Sequence, residues 1–441
     1  MPNSVEQSPN HLPVSMSPEV HDDRIVRRSM LVLCGFELLL TAMTFPVWHG
    51  ESEVPRIPLF GFLQRLPAVA DSIVLALFCS AILALAAVLT LRRFEGFIRS
   101  TATLTLIMAT ALILTSMHRL QAWHWLLMQC LLVICVLRNS SDRRYVLQKI
   151  PAIIYLCSAL SRFSPEIDQS MTGQVVSALL KSANLRMAAE SPELVYRLAW
   201  TFAIGELLIG ILLLIPRIQK FGAISAMILH TILLTGLGPL GLNHHAGVLT
   251  WNLCFLCLLP VLYNLFSPVR LFRRFWSLPL TAPPTDTSSQ EQVIPPNHHL
   301  LRRGLTVVLF VFPVSSLFGL ADNWPGWQLY SSRPEVWAMF VKQETIPALP
   351  KTLQPYVRIA RPLDEWCPVR LDRWVLNQTG APIYPEDRYQ SALIFAVTSG
   401  LPDGHDLRVE ISEPSIFPWW NRQYRIIEGR RARMESLDFP Q

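Results

Sequence analysis

The stretch IPAIIYLCSALSRF, from Ile150 to Phe163, decides how the rest of the chain is read. A helix rises about 1.5 Å per residue, so about 20 apolar residues cross a hydrocarbon core about 30 Å thick. Eight other runs meet or approach that length: Met30–Trp48, Ser72–Leu91, Ser100–Met117, Trp123–Leu137, Leu194–Ile215, Phe221–Leu240, Val248–Phe266 and Leu305–Leu320. The Ile150–Phe163 run is short. Pro151 near its start is no objection, because proline in a first turn loses no helical hydrogen bond. Whether this run crosses a bilayer fixes the side on which everything after it lies.

Basic residues favour a full crossing. With nine crossings and a cytosolic N-terminus, the cytosolic segments hold seventeen Lys and Arg, in clusters at Arg24–Arg28, Arg92–Arg99, Arg138–Lys149, Arg217–Lys220 and Arg270–Arg303. The opposite loops hold seven: Arg56, Arg65, Arg119, Arg162, Lys181, Arg186 and Arg197. Without the fifth crossing, the last two basic clusters change sides and the asymmetry is lost. The expected fold is therefore a mainly α polytopic membrane bundle of about nine transmembrane helices. A small β-rich extracytoplasmic domain follows it.

Composition agrees. The chain has 441 residues, 51% hydrophobic and 16% charged, and charge returns in force only after Asn323. The net charge of +6 does not point to nucleic acid, because the basic residues sit at the ends of apolar runs and no nucleic-acid motif accompanies them. Seven of the eight cysteines lie in or beside apolar runs, which excludes a disulfide-stapled secreted domain.

Residues 1–23 read as a disordered cytosolic tail without a cleavable signal, residues 24–321 as the bundle, and residues 322–441 as the aqueous domain. Within the bundle, 277–299 reads as a flexible linker. Ser170–Glu190 has one apolar helix face, suited either to the outer membrane surface or to packing on the bundle. In the C-terminal domain Arg370–Leu376, Ser391–Thr398, Leu407–Ile411 and Gln423–Ile427 read as strands of a small sandwich or barrel. Asn377-Gln378-Thr379 matches a glycosylation acceptor, a short pattern that recurs by chance.

An ionisable group inside a span costs at least about 2.5–3.5 kcal/mol and is a functional candidate by default. Glu37, Glu206 and His230 are such groups. His49, Asp71, His118, Arg119, His124, Arg162, His244 and His245 gather near the outer boundary, with Asn252 just inside the eighth crossing. His118, Arg119, Trp123, His124, Arg162, Glu206, His230, His244 and Asn252 are thus the candidate ligand-binding set, lining one cavity mouth beneath the C-terminal domain. The competing reading makes them interface anchors beside the aromatic belt of Trp48, Trp123, Trp125 and Trp251. Glu37 and Glu206 would accept protons, pair with Arg119 or Arg162, or bond between helices as neutral carboxyls. His230 suits a proton relay or an interhelical hydrogen bond. Cys254 and Cys257 have the spacing of a redox dithiol, though cysteine is also a common small apolar residue in helices. No metal site, P-loop or nucleophile elbow is expected, nor a dinucleotide fingerprint after a strand.

Several segments resemble bacterial HTTM-like and DoxX-like membrane proteins. His118-Arg119-Leu120-Gln121-Ala122-Trp123-His124 resembles their turn between the third and fourth helices. Tyr155-Leu-Cys-Ser-Ala-Leu-Ser-Arg162-Phe163 is similar to their Y-x-x-S-G-L-x-K-F stretch. Glu206-Leu-Leu-Ile-Gly210 with Pro216-Arg217, then His230, Gly238-Pro239 and Trp251-Asn252, continue the same order. The resemblance spans roughly residues 25–335 and implies a bacterial inner-membrane bundle with an outward β-rich domain. That group is related to vitamin K-dependent γ-glutamyl carboxylase, but Arg162 stands where the stretch usually has Lys, and a guanidinium is a poor base. Three functions follow as expectations: binding of a lipid- or quinone-like ligand, membrane enzymology of a carboxylase-like or thiol-redox kind, or a scaffold that recruits an envelope partner. The sequence names no cofactor.

Overall fold

The computed structural model describes residues 17–50, 52–265, 297–329, 331, 333–360, 364–401, 406–415 and 421–429. The tail at 1–16 and the linker from 277 to 296 lie outside the described residues. The first helix, α1 (Pro18–Met43), takes in the end of the expected tail. Ser17 caps it by accepting from the Val20 amide at 3.4 Å, and Pro18 opens it.

A short α2 (Phe45–His49) follows, then α3 (Ala68–Thr90), α4 (Ile98–Thr115), α5 (Ala122–Val136) and α6 (Ser140–Ser161). After them come α7 (Met171–Ser182), the one-turn α8 (Arg186–Ala189), α9 (Pro192–Leu214), α10 (Gln219–Leu237), α11 (Ala246–Leu262) and α12 (Asn297–Ser316). Four of the described helices are long and apolar enough to cross a membrane: Ala68–Thr90, Arg93–Thr115, Pro192–Leu214 and Gln219–Leu237. Ala122–Val136 and Ala246–Leu262 are shorter apolar helices.

The Ile150–Phe163 run is the second half of α6, a helix of 22 residues. It begins at Ser140, so Pro151 stands in its interior and not in its first turn. The sequence hides this extension because Asp142, Arg143, Gln148 and Lys149 look like loop residues. They are buried, and three of them satisfy carbonyls left without a helical partner at the C-terminal ends of neighbouring helices. Arg143 Nε donates to Leu137 O at 2.8 Å, just past α5. Gln148 Nε2 donates to Leu262 O at 3.0 Å, at the end of α11. Lys149 Nζ donates to Leu214 O at 2.8 Å, at the end of α9. The start of α6 therefore lies beside the ends of α5, α9 and α11. Its own end reaches the C-terminal domain, where Ser331 Oγ donates to Ser161 O at 2.7 Å.

The α7 helix packs on the bundle through Val175, against Leu237 and Val248, and through Val176, against Val195 and Ala199. The C-terminal domain corrects the expected sandwich. It is one antiparallel sheet of β1 (Val336–Lys342), β2 (Trp366–Val369), β3 (Leu407–Pro414) and β4 (Arg422–Glu428), in the order β2-β1-β3-β4. The runs 370–376 and 391–398 are helical, as α13 (Leu371–Thr379) and α14 (Asp387–Thr398). Their buried residues Leu371, Trp374 and Val375, and Tyr389, Leu393, Ile394 and Val397, repeat at helical spacing. They cover the sheet face that carries Trp337, Met339, Val341, Val409 and Ile411. Val54, Ile57 and Met117, from the loops of the bundle, join that same core.

Candidate functional site

Three polar networks run through the apolar bundle, and they divide the candidate residues among them. The first centres on Arg119, which is fully buried. Its Nε donates to Val47 O at 3.1 Å and its Nη2 to Trp48 O at 2.8 Å, at the end of α2. Nη1 meets Asp71 Oδ1 at 2.8 Å, in the first turn of α3, where a carboxylate also suits the helix dipole. Asp71 Oδ2 accepts from Arg56 at 2.8 Å. Arg119 thus ties the end of α2 to the start of α3 with a bonding set that leaves little for a ligand.

Trp48 also packs on His124, at 5.1 Å between rings. His124 Nδ1 meets Glu37 Oε1 at 2.6 Å, and its Nε2 faces Ala109 O at 3.2 Å. A backbone carbonyl only accepts, so Nε2 carries a proton. A second proton lies between Nδ1 and the carboxyl. The His124–Glu37 pair is therefore neutral as a unit whichever atom holds it, which suits its burial.

The second network is the Arg162–Glu206 ion pair, nearly fully buried at the end of α6 and within α9. Arg162 Nη2 also donates to Leu329 O at 3.3 Å, in the segment leading to the C-terminal domain.

The third network is directional. Asn252 Nδ2 donates to Val248 O at 2.8 Å, so its Oδ1 is the acceptor for His230 Nδ1–H at 2.9 Å. His230 Nε2 is then the bare nitrogen and accepts from the Tyr155 hydroxyl at 2.7 Å. Phe255 stacks on the imidazole at 4.6 Å and 15°. Tyr155 and Arg162 are seven residues apart on α6 and so share one face of it. Tyr155 was quoted in the family-like stretch but not singled out. The signal was a hydroxyl-bearing ring two turns before Arg162 inside an apolar run.

Of the remaining histidines, His118 and His245 bond the C-terminal domain to the bundle. His118 Nε2 donates to Pro382 O at 2.9 Å, and its ring lies 5.4 Å from that of Tyr389. Burial pushes the His118 pKa down to about 4, so it is neutral near pH 7. The His244 ring accepts from the His245 amide at 3.0 Å, and His245 Nε2 meets Asn377 Oδ1 at 3.2 Å. Trp123 is buried in the bundle core. Asn377, of the glycosylation pattern, lies on α13 with Nδ2 bonded to the Tyr356 hydroxyl at 2.9 Å. Cys254 and Cys257 are free thiols on α11, the first buried and the second partly so. Among the described residues, no three His, Cys, Asp or Glu are grouped to hold a metal ion.

No family model, curated protein or solved structure matches the chain. The likeness to HTTM-like and DoxX-like proteins rests on the quoted motifs alone.

Proposed function

We propose that this is a nine-crossing protein of the bacterial inner membrane, with a cytosolic N-terminus and an extracytoplasmic C-terminal domain, that binds a lipid- or quinone-like ligand. The observation that carries the binding role is the Tyr155–His230–Asn252 chain inside an apolar bundle. The fixed amide of Asn252 holds His230 in the tautomer that takes a proton from Tyr155. The Tyr155 oxygen keeps lone pairs for a hydroxyl of the ligand, so the chain can hold a polar head and draw a proton from it. The Arg162–Glu206 pair lies along the same helix face and adds polarity without net charge.

The nine-crossing arrangement is supported by the excess of basic residues at one set of loop ends. It is also supported by α6, whose 22 residues extend about 33 Å. Its two ends lie by different sets of elements, the C-termini of α5, α9 and α11 at one and the domain segment at the other.

The test is mass spectrometry of the apolar extract from purified protein, wild type against Tyr155→Phe and His230→Ala. A stoichiometric apolar molecule lost from both variants is the expected result. Its absence from the wild type, or its retention in both variants, overturns the reading. A reporter at Gln441 that behaves as cytoplasmic overturns the topology separately.

A further inference from the structure

The sheet of the C-terminal domain has two edges, and they are finished differently. At β2 the edge is closed. That strand has four residues with Pro368 among them, and the stretch before it comes alongside. Val357 bridges Val369, Arg358 N donates to Pro368 O at 2.9 Å, and Arg370 N donates to Tyr356 O at 3.0 Å. At the other end of the order, β4 has seven residues and no proline, and among the described residues no strand lies outside it.

The peptide groups that β4 leaves open follow from its pairing with β3. Gly429 N donates to Leu407 O and Ser415 N to Asn421 O, both at 2.9 Å, in a register that sets Val409 against Ile427 and Ile411 against Arg425. In an antiparallel ladder, alternate residues exchange both of their bonds with the same neighbour. Gln423, Arg425 and Ile427 therefore give theirs to β3, while Arg422, Tyr424, Ile426 and Glu428 turn their amides and carbonyls outward. Tyr424 and Ile426 are 71% and 57% exposed. Folded proteins ordinarily avoid an open edge that carries exposed apolar side chains, because it invites another strand.

This edge is complementary to itself. Laid antiparallel about Arg425, two copies of β4 set Arg422 against Glu428 and Tyr424 against Ile426, each twice, with every outward amide facing an outward carbonyl. Opposite charges, and a ring against a β-branched chain, are facing pairs that stabilise a ladder. The two Arg425 side chains meet at the centre, and each lies 3.2 Å from its own Glu413, which offsets the like charges. Slipping the register by two residues separates Arg422 from Glu428.

The direction of the symmetry axis also suits a second copy. Strands paired in this way are related by a two-fold perpendicular to the sheet. The helices α13 and α14 cover one sheet face, and Val54, Ile57 and Met117 of the bundle join the core beneath it. The same helices meet the bundle: a Cβ on Gly380, at the end of α13, would meet Met43 O at 3.2 Å, and the ring of Tyr389 on α14 lies 5.4 Å from that of His118. The helices thus stand between sheet and bundle. An axis perpendicular to the sheet runs toward the bundle, as two copies inserted the same way in one bilayer require.

We infer that β4 is a docking edge for β4 of a second copy of this chain, forming an isologous dimer with one sheet continuous across both copies. The inference goes beyond the ligand-binding reading and does not depend on which side of the membrane the domain faces.

The test uses the full chain, in detergent micelles with light scattering to give the protein mass, and in vesicles with cysteine cross-linking. Wild type is expected at twice the chain mass. Ile426→Pro removes only an amide that points away from β3 and should halve that mass. Tyr424→Lys combined with Ile426→Lys, both at exposed positions, should do the same and serves if the proline variant does not fold. Arg425 faces its counterpart with Cα atoms about 4.5 Å apart, so Arg425→Cys should form a disulfide-linked dimer on oxidation. In Gln423→Cys the two thiols stand four residues apart on facing strands, and cross-linking should not exceed that of wild type. A monomeric wild type, a dimer whose mass survives the lysine variant, or equal cross-linking of Gln423→Cys and Arg425→Cys overturns the inference.

Discussion

The Tyr155 hydroxyl and the bare Nε2 of His230 meet at 2.7 Å between α6 and α10, and no other arrangement of protons satisfies the bonds on either side of them. Replacing Tyr155 with Phe keeps the ring and leaves Nε2 buried without a donor. The expected cost is about 1–3 kcal/mol, read as a lowered midpoint in thermal unfolding followed by tryptophan fluorescence. A variant as stable as wild type would mean that the hydroxyl is not engaged as described.

Arg162 and Glu206 form a buried pair, so removing one partner strands the other charge. Arg162→Met and Glu206→Leu should each destabilise by about 3–5 kcal/mol, while the double variant should regain most of that loss. Chemical unfolding of the four proteins gives the coupling energy directly. Additive losses would contradict the pairing.

Gly50 has φ +78°, and a Cβ there would meet Asp71 Oδ2 at 2.6 Å. Gly50→Ala should therefore strain the backbone by about 1–2 kcal/mol and push Asp71 off Arg56. Gly50→Ala in an Asp71→Ala background should lose only the backbone part. Equal losses in the two backgrounds would show that the carboxylate does not feel the methyl group.

Burial, reinforced by the Asp322 charge, pushes the Glu386 pKa up to about 8. The folded state then holds this proton more tightly than the unfolded chain does. Its contribution to stability is complete below the ordinary value of 4.5 and is lost as pH rises through about 8. Glu335, raised to about 7 by burial, acts in the same direction. Thermal unfolding should show the protein more stable at pH 5 than at pH 9, with a smaller difference in Glu386→Gln. An unchanged difference in that variant would remove Glu386 as the cause.

Much of the bundle was legible because lipid-facing helices need unbroken apolar runs, and the breaks between runs mark helix ends. The strands at Leu407–Ile411 and Gln423–Ile427 were legible too. The helices α13 and α14 were not, since each has only two or three turns and its apolar residues also fit a short strand. Among the polar residues, the sequence offered Arg119 or Arg162 to either Glu37 or Glu206 without choosing between them, and packing alone selects the Arg162–Glu206 pair. The Glu37–His124 pair was not legible, because 87 residues separate its members and only packing brings them together. The left-handed backbone at Trp327 was hidden too, because a positive φ at a bulky residue leaves no mark in the sequence.

The polar side chains in the first half of α6 carry one more consequence, for biogenesis. Arg143, Gln148 and Lys149 find their acceptors at the ends of α5, α9 and α11, two of which are synthesised after α6. If α6 crosses the bilayer as proposed, it would on its own present those groups, and later Arg162, to lipid with nothing to answer them. Its passage into the bilayer is therefore expected to wait on its neighbours, held by the translocation machinery or by α5. In chains that end before α9, the thiol of a Gln169→Cys variant should react poorly with an impermeant reagent added from outside, and in chains extended past Leu262 it should react well.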